Sequence, residues 1–403
     1  MRNFTELPPL GLYIHIPWCI KKCPYCDFNS HAVKEAGIPE SDYVDALLAD
    51  LTQELPDIWG RSISSVFIGG GTPSTFSARS LDRLLSGVRA LTNLHPEGEI
   101  TIEANPGTFE QEKFNDYRSI GINRLSIGAQ SFNPRSLAAL GRIHDAAEAE
   151  NSVAIARKAG FEKLNLDLMF GLPGQTADQA MADLDKALSL EPDHISWYQL
   201  TMEPNTAFYR NPPTVPDMDQ LWEIHNAGIT KLENAGFKQY EVSAFSRERK
   251  QCVHNLNYWT FGDYVGIGAG AHGKISFADR GEIIRRQKQR HPNRYLNSAR
   301  SEKRLSGESI IEDRDTLIEF MMNALRLKEG VERPVFSRHT GIPTQIISRQ
   351  VDKAVEQGFL EDNPHRYQCT ALGYQHLNTV LEIFIPEAVK TVFIPVHNQS
   401  ESI

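Results

Sequence analysis

Three cysteines fall within eight positions, Cys19-Ile20-Lys21-Lys22-Cys23-Pro24-Tyr25-Cys26, a C-x3-C-x2-C spacing. Soft thiolates suit iron–sulfur clusters, so three this close can hold three irons of a [4Fe–4S] cube and leave the fourth iron open to another ligand. The spacing also suits a zinc ion with His15 or His31 as fourth ligand. Zinc sites usually join two separated C-x-x-C clips, however, and this chain has no second clip. On spacing alone both metals stay open. The other two cysteines, Cys252 and Cys369, lie far away, and an odd total of five in 403 residues cannot make a disulfide scaffold. The pattern predicts a reducing compartment.

Further candidates follow at intervals. The triple glycine Gly69-Gly70-Gly71 precedes Thr72-Pro73 and would let backbone amides approach a ligand closely. Glu103 and Asp167 can accept hydrogen bonds from a ribose or face a cation; Gln130 and Arg142 can bind an amide-like or carboxylate group. Such residues need elements that bring them together, and the apolar pattern supplies them. Strand-like runs at Leu12–Pro17, Ser65–Ile68, Glu99–Glu103, Arg124–Gly128, Lys163–Met169 and His194–Leu200 alternate with helical periodicity. The helices are expected at Ser41–Leu55, Ala78–Leu91, Glu110–Ile120, Asp145–Ala159, Thr176–Leu190 and Met218–Ala235. These β-α units predict an α/β fold with a parallel sheet, open or curved, and a strand at Tyr240–Phe245 on its edge. In such folds chemistry sits at the carboxyl ends of the strands. The cysteine loop, the triple glycine, Glu103, Gln130 with Ser131, and Thr201 with Glu203 all follow strand ends, while Asp167 lies within the fifth strand.

Four segments are expected: a barrel domain over 1–245, a linker or extension over 246–312, a winged-helix-like unit over 313–385 and a loosely ordered tail over 386–403. The chain carries 42 basic and 51 acidic residues, a net charge of −9, which argues against binding nucleic acid through bulk charge. Arg280–Arg304 is the exception, with nine basic residues against two acidic. The candidate recognition helix Gln345–Gln357 has no net basic face, so the winged unit is read as a lid or docking surface. A secretory signal and a long apolar run are both missing, and a cytoplasmic protein is expected.

In these residues the sequence resembles the radical S-adenosylmethionine superfamily. It is similar in particular to its coproporphyrinogen-dehydrogenase-like branch. The resemblance rests on Tyr13–Cys19, Gly69–Pro73, Glu103–Pro106, Gly128–Phe132, Leu140–His144, Asp167–Pro173, His254–Trp259 and Gly266–His272, and spans roughly Leu12 to Phe384. It implies a partial (β/α)6 barrel with a smaller α+β C-terminal region. It also implies a [4Fe–4S] cluster on Cys19, Cys23 and Cys26, whose open iron binds S-adenosylmethionine for cleavage to a 5′-deoxyadenosyl radical. By position, the family's S-adenosylmethionine contacts fall on Tyr13, Gly70, Gly71, Thr72, Glu103, Gln130, Arg142 and Asp167.

The oxidases of this branch carry a fourth cysteine two residues after the third and a long N-terminal extension. Here Phe28 holds that position and 18 residues precede Cys19. Both departures argue against oxidative decarboxylation of coproporphyrinogen III and match the branch's haem-chaperone subgroup. Haem would then be cargo, passed to acceptor haem proteins such as respiratory enzymes or a haem or iron storage protein, with room for peripheral membrane contact and a homodimer. His254 in His-Asn-x-x-Tyr-Trp has the right chemistry for an iron ligand, Tyr258 and Trp259 could pack on the macrocycle, and Arg285, Arg286 and Arg290 could meet propionates. A zinc-dependent DNA-binding regulator is the competing class.

Overall fold

A computed structural model of the chain describes residues 2–35, 37–107 and 113–385. The tail 386–403 and the first residues of the helix expected at Glu110–Ile120 lie outside the described residues; that helix is seen as Phe114–Ser119. A twelve-stranded sheet organises the fold. Its strands are β1 (Leu10–Ile16), β2 (Ser62–Gly70), β3 (Asn93–Ala104), β4 (Arg124–Gln130), β5 (Leu164–Phe170) and β6 (His194–Gln199). The rest are β7 (Lys238–Glu241), β8 (Ala244–Ser246), β9 (Asp263–Ile267), β10 (His272–Phe277), β11 (Glu282–Lys288) and β12 (Leu305–Ile310). Their order is β12-β11-β10-β9-β1-β2-β3-β4-β5-β6-β8-β7. The run from β9 through β1 to β6 is parallel throughout.

Period-two patterning explains how the strands are used. On one face Leu12, Ile14, Val66, Ile68, Ile100, Ile102, Leu125, Ile127, Leu164, Leu166 and Ile195 are buried against the helices. Helix α1 (Glu40–Ile58) contributes Val44, Leu47 and Leu51, and α2 (Ala78–Leu91) contributes Leu81, Leu84 and Val88. The other face carries Thr101, Glu103, Arg124, Ser126, Asn165, Asp167, His194 and Ser196, which line a cavity. Barrels of this class usually fill their interior with branched apolar side chains; here the interior is polar. Three helices start where side chains cap them: Asp145 with Glu148, Thr176 with Gln179 and Asp217 with Gln220 form capping boxes.

Two expectations change. The single strand at Tyr240–Phe245 is a hairpin: the Glu241 carboxylate accepts from Ser243 N at 3.1 Å at the turn, and β8 rather than β7 pairs with β6. The segment 246–312, read as a linker or extension, supplies four strands of the main sheet, of which β9 pairs in parallel with β1 on the edge opposite β6. Its partner strand is some 250 residues away in sequence, so no local pattern announces the pairing.

Residues after 312 form a second apolar cluster around Phe320, Met321, Phe336, Val351 and Phe384. Helices Asp313–Ala324, Arg333–Thr340 and Ser348–Glu356 surround it, with a two-residue antiparallel pairing of Val331–Glu332 and Arg366–Tyr367. The unit is docked rather than tethered. Arg326 pairs with Glu241 at 3.0 Å, His339 Nδ1 meets Thr260 O at 2.6 Å, and Arg2 reaches from the N-terminal segment to Asp313 at 2.7 Å.

Candidate functional site

The cysteine loop leaves β1 and is clamped at both ends. Trp18–Cys19 pairs in parallel with His31–Ala32, and Thr72 N donates to Trp18 O at 2.7 Å. Cys19 is buried, Cys23 and Cys26 are half-buried, and all three open onto a cavity of about 530 Å³ at the carboxyl ends of the parallel strands. Burial pushes the Cys19 and Cys26 thiols up, with hydrogen bonding opposing it. Arg142 Nη1 lies 3.7 Å from the Cys23 sulfur.

The ends of β2 to β6 contribute to the same cavity. Gly70 and Gly71 bring the backbone against the loop. Gly70 has φ 117°, and a Cβ there would stand 2.6 Å from the His15 ring; at Gly71 it would stand 2.6 Å from Trp18 O. Glu103 Oε2 accepts from Gly70 N at 3.1 Å. Burial, reinforced by the nearby Asp167 carboxylate, pushes Glu103 up to about 8. Asp167 is also raised by burial, despite hydrogen bonds from Ser126 at 2.8 Å and Asn165 at 2.7 Å. Neither carboxylate has an ion pair among the described residues, so the wall holds two half-buried carboxyl groups suited to a cationic ligand. Arg142 donates to Asn105 Oδ1 at 2.7 Å and Gly128 O at 2.8 Å, and Asn105 in turn donates to Thr72 Oγ1 at 3.2 Å. Gln130 sits at φ 64°, and its Oε1 and Arg142 Nε are buried without a partner. Unsatisfied buried groups of this kind are uncommon and fit a wall that awaits a polar ligand.

Of the predicted residues, Cys19, Cys23, Cys26, Gly70, Gly71, Thr72, Glu103, Gln130, Arg142 and Asp167 meet in this one cavity. Tyr13 stands beside it, stacked on Phe67 and hydrogen-bonded to His15 at 2.9 Å. His254 does not join them. It is 2% exposed, held by Ser65 Oγ at 2.9 Å and packed between Phe67 at 5.1 Å and Tyr258 at 4.9 Å. Burial lowers it to about 3. The ring does not line this cavity, and its Nε2 is buried without a hydrogen-bond partner among the described residues. The propionate assignments change. Arg285 is paired with Glu319 at 2.8 Å, and Arg286 with Glu54, Asp57 and Glu308 at 2.6–2.7 Å, which leaves Arg290 exposed and, among the described residues, without an acidic partner. His15, offered as a zinc ligand, uses both ring nitrogens, on Tyr13 and on Asn29 O at 2.8 Å. Among the described residues no three His, Cys, Asp or Glu side chains converge on a single metal ion.

Sequence reasoning overlooked Asn105, which links Arg142 to Thr72, and the deeper layer of Thr101, Ser126, Asn165 and Ser196. The signal was present: polar residues recur at every second position in Leu164-Asn165-Leu166-Asp167-Leu168. The floor below is closed by Arg124 and Lys163 near Glu99, at 3.6 and 3.2 Å, and by His194 between Asn165 and Tyr240. Cys252 lies in this floor with its thiol pushed up to about 12 by burial, an inert state.

A curved, mostly parallel sheet with a three-cysteine loop after its first strand defines a class, and the comparisons agree with it. Residues 13–187 match the Radical SAM superfamily and residues 311–376 the HemN C-terminal domain. The chain is 48% identical over 383 residues to a protein of Escherichia coli named heme chaperone HemW, covering 95% of this chain and 100% of that one. It is 49% identical over 391 residues to the heme chaperone HemW of Haemophilus influenzae, covering 95% and 99%. The solved structure of coproporphyrinogen III oxidase (HemN) from Escherichia coli shares the fold at 23% identity and a TM-score of 0.79, covering 94% of this chain and 90% of that chain. The chain belongs to the radical SAM superfamily and, within it, to the heme chaperone HemW family. That superfamily implies a [4Fe–4S] cluster and S-adenosylmethionine, and the residues around the cavity fit both: three clustered thiols, a glycine cradle and two unpaired carboxyl groups. Among the described residues no helix is long and apolar enough to cross a membrane.

Proposed function

We propose that this protein binds haem and hands it to acceptor haem proteins in the cytoplasm, using a [4Fe–4S] cluster and S-adenosylmethionine. Near full-length identity to relatives named heme chaperone carries the reading. Cys19, Cys23 and Cys26 hold the cluster. Gly70, Gly71 and Thr72 offer backbone and hydroxyl groups to S-adenosylmethionine. Glu103 and Asp167 face its cationic groups, Arg142 and Gln130 its carboxylate and amide-seeking edges, and Tyr13 closes the side. The bound cofactors would supply one-electron chemistry; this chain's residues orient them and keep the floor dry. Acceptors are haem enzymes of the respiratory chain, reached by peripheral contact with the membrane, or a storage protein, and the carrier itself acts as a monomer or homodimer.

Phe28 supports cargo binding over decarboxylation. It is 61% exposed on the rim of the cavity, where the oxidases of this branch have a thiol. The test pairs two assays on anaerobically reconstituted protein: hemin titration followed at the Soret band, and turnover of coproporphyrinogen III. Saturable hemin binding without turnover is expected. Turnover would overturn the reading.

A further inference from the structure

Gln130 stands out in the cavity wall by its backbone. It is not a glycine, yet its φ is 64°, a left-handed conformation in which Cβ crowds the following carbonyl. It also ends an irregularity in the sheet. Ile127 pairs with Leu166 and Gln130 with Leu168, so three steps along β4 match two along β5. A bulge of this kind re-aims a side chain. A Cβ on Gly128 would stand 3.0 Å from Gln130 Nε2 and 3.5 Å from Arg142 Nη2, so amide and guanidinium lie side by side over that glycine. Gln130 is buried, and its Oε1 has no hydrogen-bond partner among the described residues.

A strained residue persists only where its surroundings over-determine it, and the chain is gripped on both sides of this one. Before it, Ala129 O lies 3.1 Å from His144 Nε2. A carbonyl only accepts, so this nitrogen carries the proton. Burial and the Arg142 guanidinium lower His144 to about 4, which keeps the ring neutral near pH 7. After it, Asp183 Oδ2 accepts from Ser131 Oγ at 2.6 Å and Oδ1 from Phe132 N at 2.7 Å. Ser131 Oγ accepts in turn from Asn133 N at 3.0 Å. Asp183 projects from the helix Ala177–Ser189, is buried and has no ion pair among the described residues. A buried carboxylate without a cation is costly, and both oxygens of this one are directed at the two residues that follow Gln130. Neither Asp183 nor His144 lines the cavity.

We infer that Asp183 and His144 are positioning residues for S-adenosylmethionine: they hold Gln130 in its left-handed bulge, with its amide turned to the cofactor beside Arg142. The inference rests on the S-adenosylmethionine contact proposed above for Gln130. The helix that follows β5 thereby sets the aim of a side chain at the end of β4, and loosening either grip lets the strained backbone relax and carries the amide away from Arg142.

The test uses the full-length protein with its cluster reconstituted anaerobically and S-adenosylmethionine as the ligand, followed by equilibrium dialysis. Cluster absorbance and thermal unfolding report the fold. Wild type should bind saturably, and Gln130→Ala about tenfold more weakly. Asp183→Ala and His144→Ala should each weaken binding severalfold with the cluster intact, although neither side chain touches the cavity. Asp183→Asn keeps an acceptor for Phe132 N and should recover most of the affinity. Ser131→Ala, a smaller change to the same clamp, should also weaken binding, and it takes the place of Asp183→Ala in every arm if that variant loses its cluster. The deciding measurement is the double variant. In the Gln130→Ala background Asp183→Ala should change affinity by less than about twofold, because no amide is left to position. An equal loss in both backgrounds, or wild-type affinity in a cluster-bearing Asp183→Ala, overturns the inference while leaving cofactor binding standing. Wild-type affinity in Gln130→Ala removes the contact beneath the inference and overturns it as well. A wild type that shows no saturable binding overturns the cofactor reading itself.

Discussion

Two glutamates, one on each side of β1, are treated in opposite ways. Glu54 on α1 faces the antiparallel extension and receives Lys288 at 2.6 Å, Arg286 at 2.7 Å and Arg304 at 3.0 Å. Burial alone would raise it, but Lys288 and Arg286 bring it down to about 2. Glu103 on β3 faces the cavity and, among the described residues, accepts from a backbone amide and pairs with no cation; burial and Asp167 push it up to about 8. The first carboxylate is a staple that fixes α1 to β11. The second is desolvated without a counter-charge, a condition that costs stability unless a cationic ligand relieves it. Structural and functional carboxylates in this protein therefore differ in whether the fold itself supplies the cation.

The contrast can be broken experimentally. The largest effect concerns the loop that supplies the cavity's metal: Cys23→Ala should abolish the cluster, seen as loss of its visible absorbance and of bound iron after anaerobic reconstitution. Next, Glu54→Gln should destabilise the fold by about 3–5 kcal/mol, because it leaves buried cations unpaired. Chemical denaturation measures this, and Glu103→Gln in the same assay should cost nothing or gain stability. Equal losses would erase the distinction. Third, Glu103→Gln should weaken S-adenosylmethionine by about ten- to a hundredfold (about 1.5–3 kcal/mol for a hydrogen bond to a charged group), with the cluster intact. Equilibrium binding to the reconstituted protein reads this.

The pH dependences should also run apart. The depressed Glu54 contributes stability that is present above its ordinary value, near 4.5, and is lost as pH falls toward about 2. Glu103 is neutral below about 8 and ionises above it, so affinity for the cationic cofactor should climb as pH rises from about 6.5 to 9, and the slope should flatten in Glu103→Gln. The smallest effect belongs to the packing beneath: Ser65→Ala removes the hydrogen bond to the His254 ring and should cost about 1 kcal/mol of stability.

The two regions were unequally readable beforehand. Leu164-Asn165-Leu166-Asp167-Leu168 announces a strand with a polar face, and Asp145, Thr176 and Asp217 announce helix starts, because these signals are local. The segment 246–312 carries no such signal. Its strands pair with β1 and with each other across Gly- and Arg-rich text, and the apparent charge of Arg280–Arg304 is largely spent inside the fold. Arg280, Arg285, Arg286, Lys288 and Arg304 all have acidic partners. Asp50 and Glu54, which neutralise Lys288 and Arg304, lie more than 230 residues upstream.

The sequence by itself determined the cysteine loop, the glycine cradle, the β-α alternation and hence the place of chemistry at the strand ends, since each depends on residue type and short spacing. Tertiary structure alone decided which charges are paired and which side chains face a cavity. It enclosed His254 behind Phe67 and Tyr258, satisfied Arg285 and Arg286, and left Glu103 and Arg290 open. Pairing and burial are properties of neighbours brought together from distant parts of the chain, and desolvation acts on whatever those neighbours leave uncompensated.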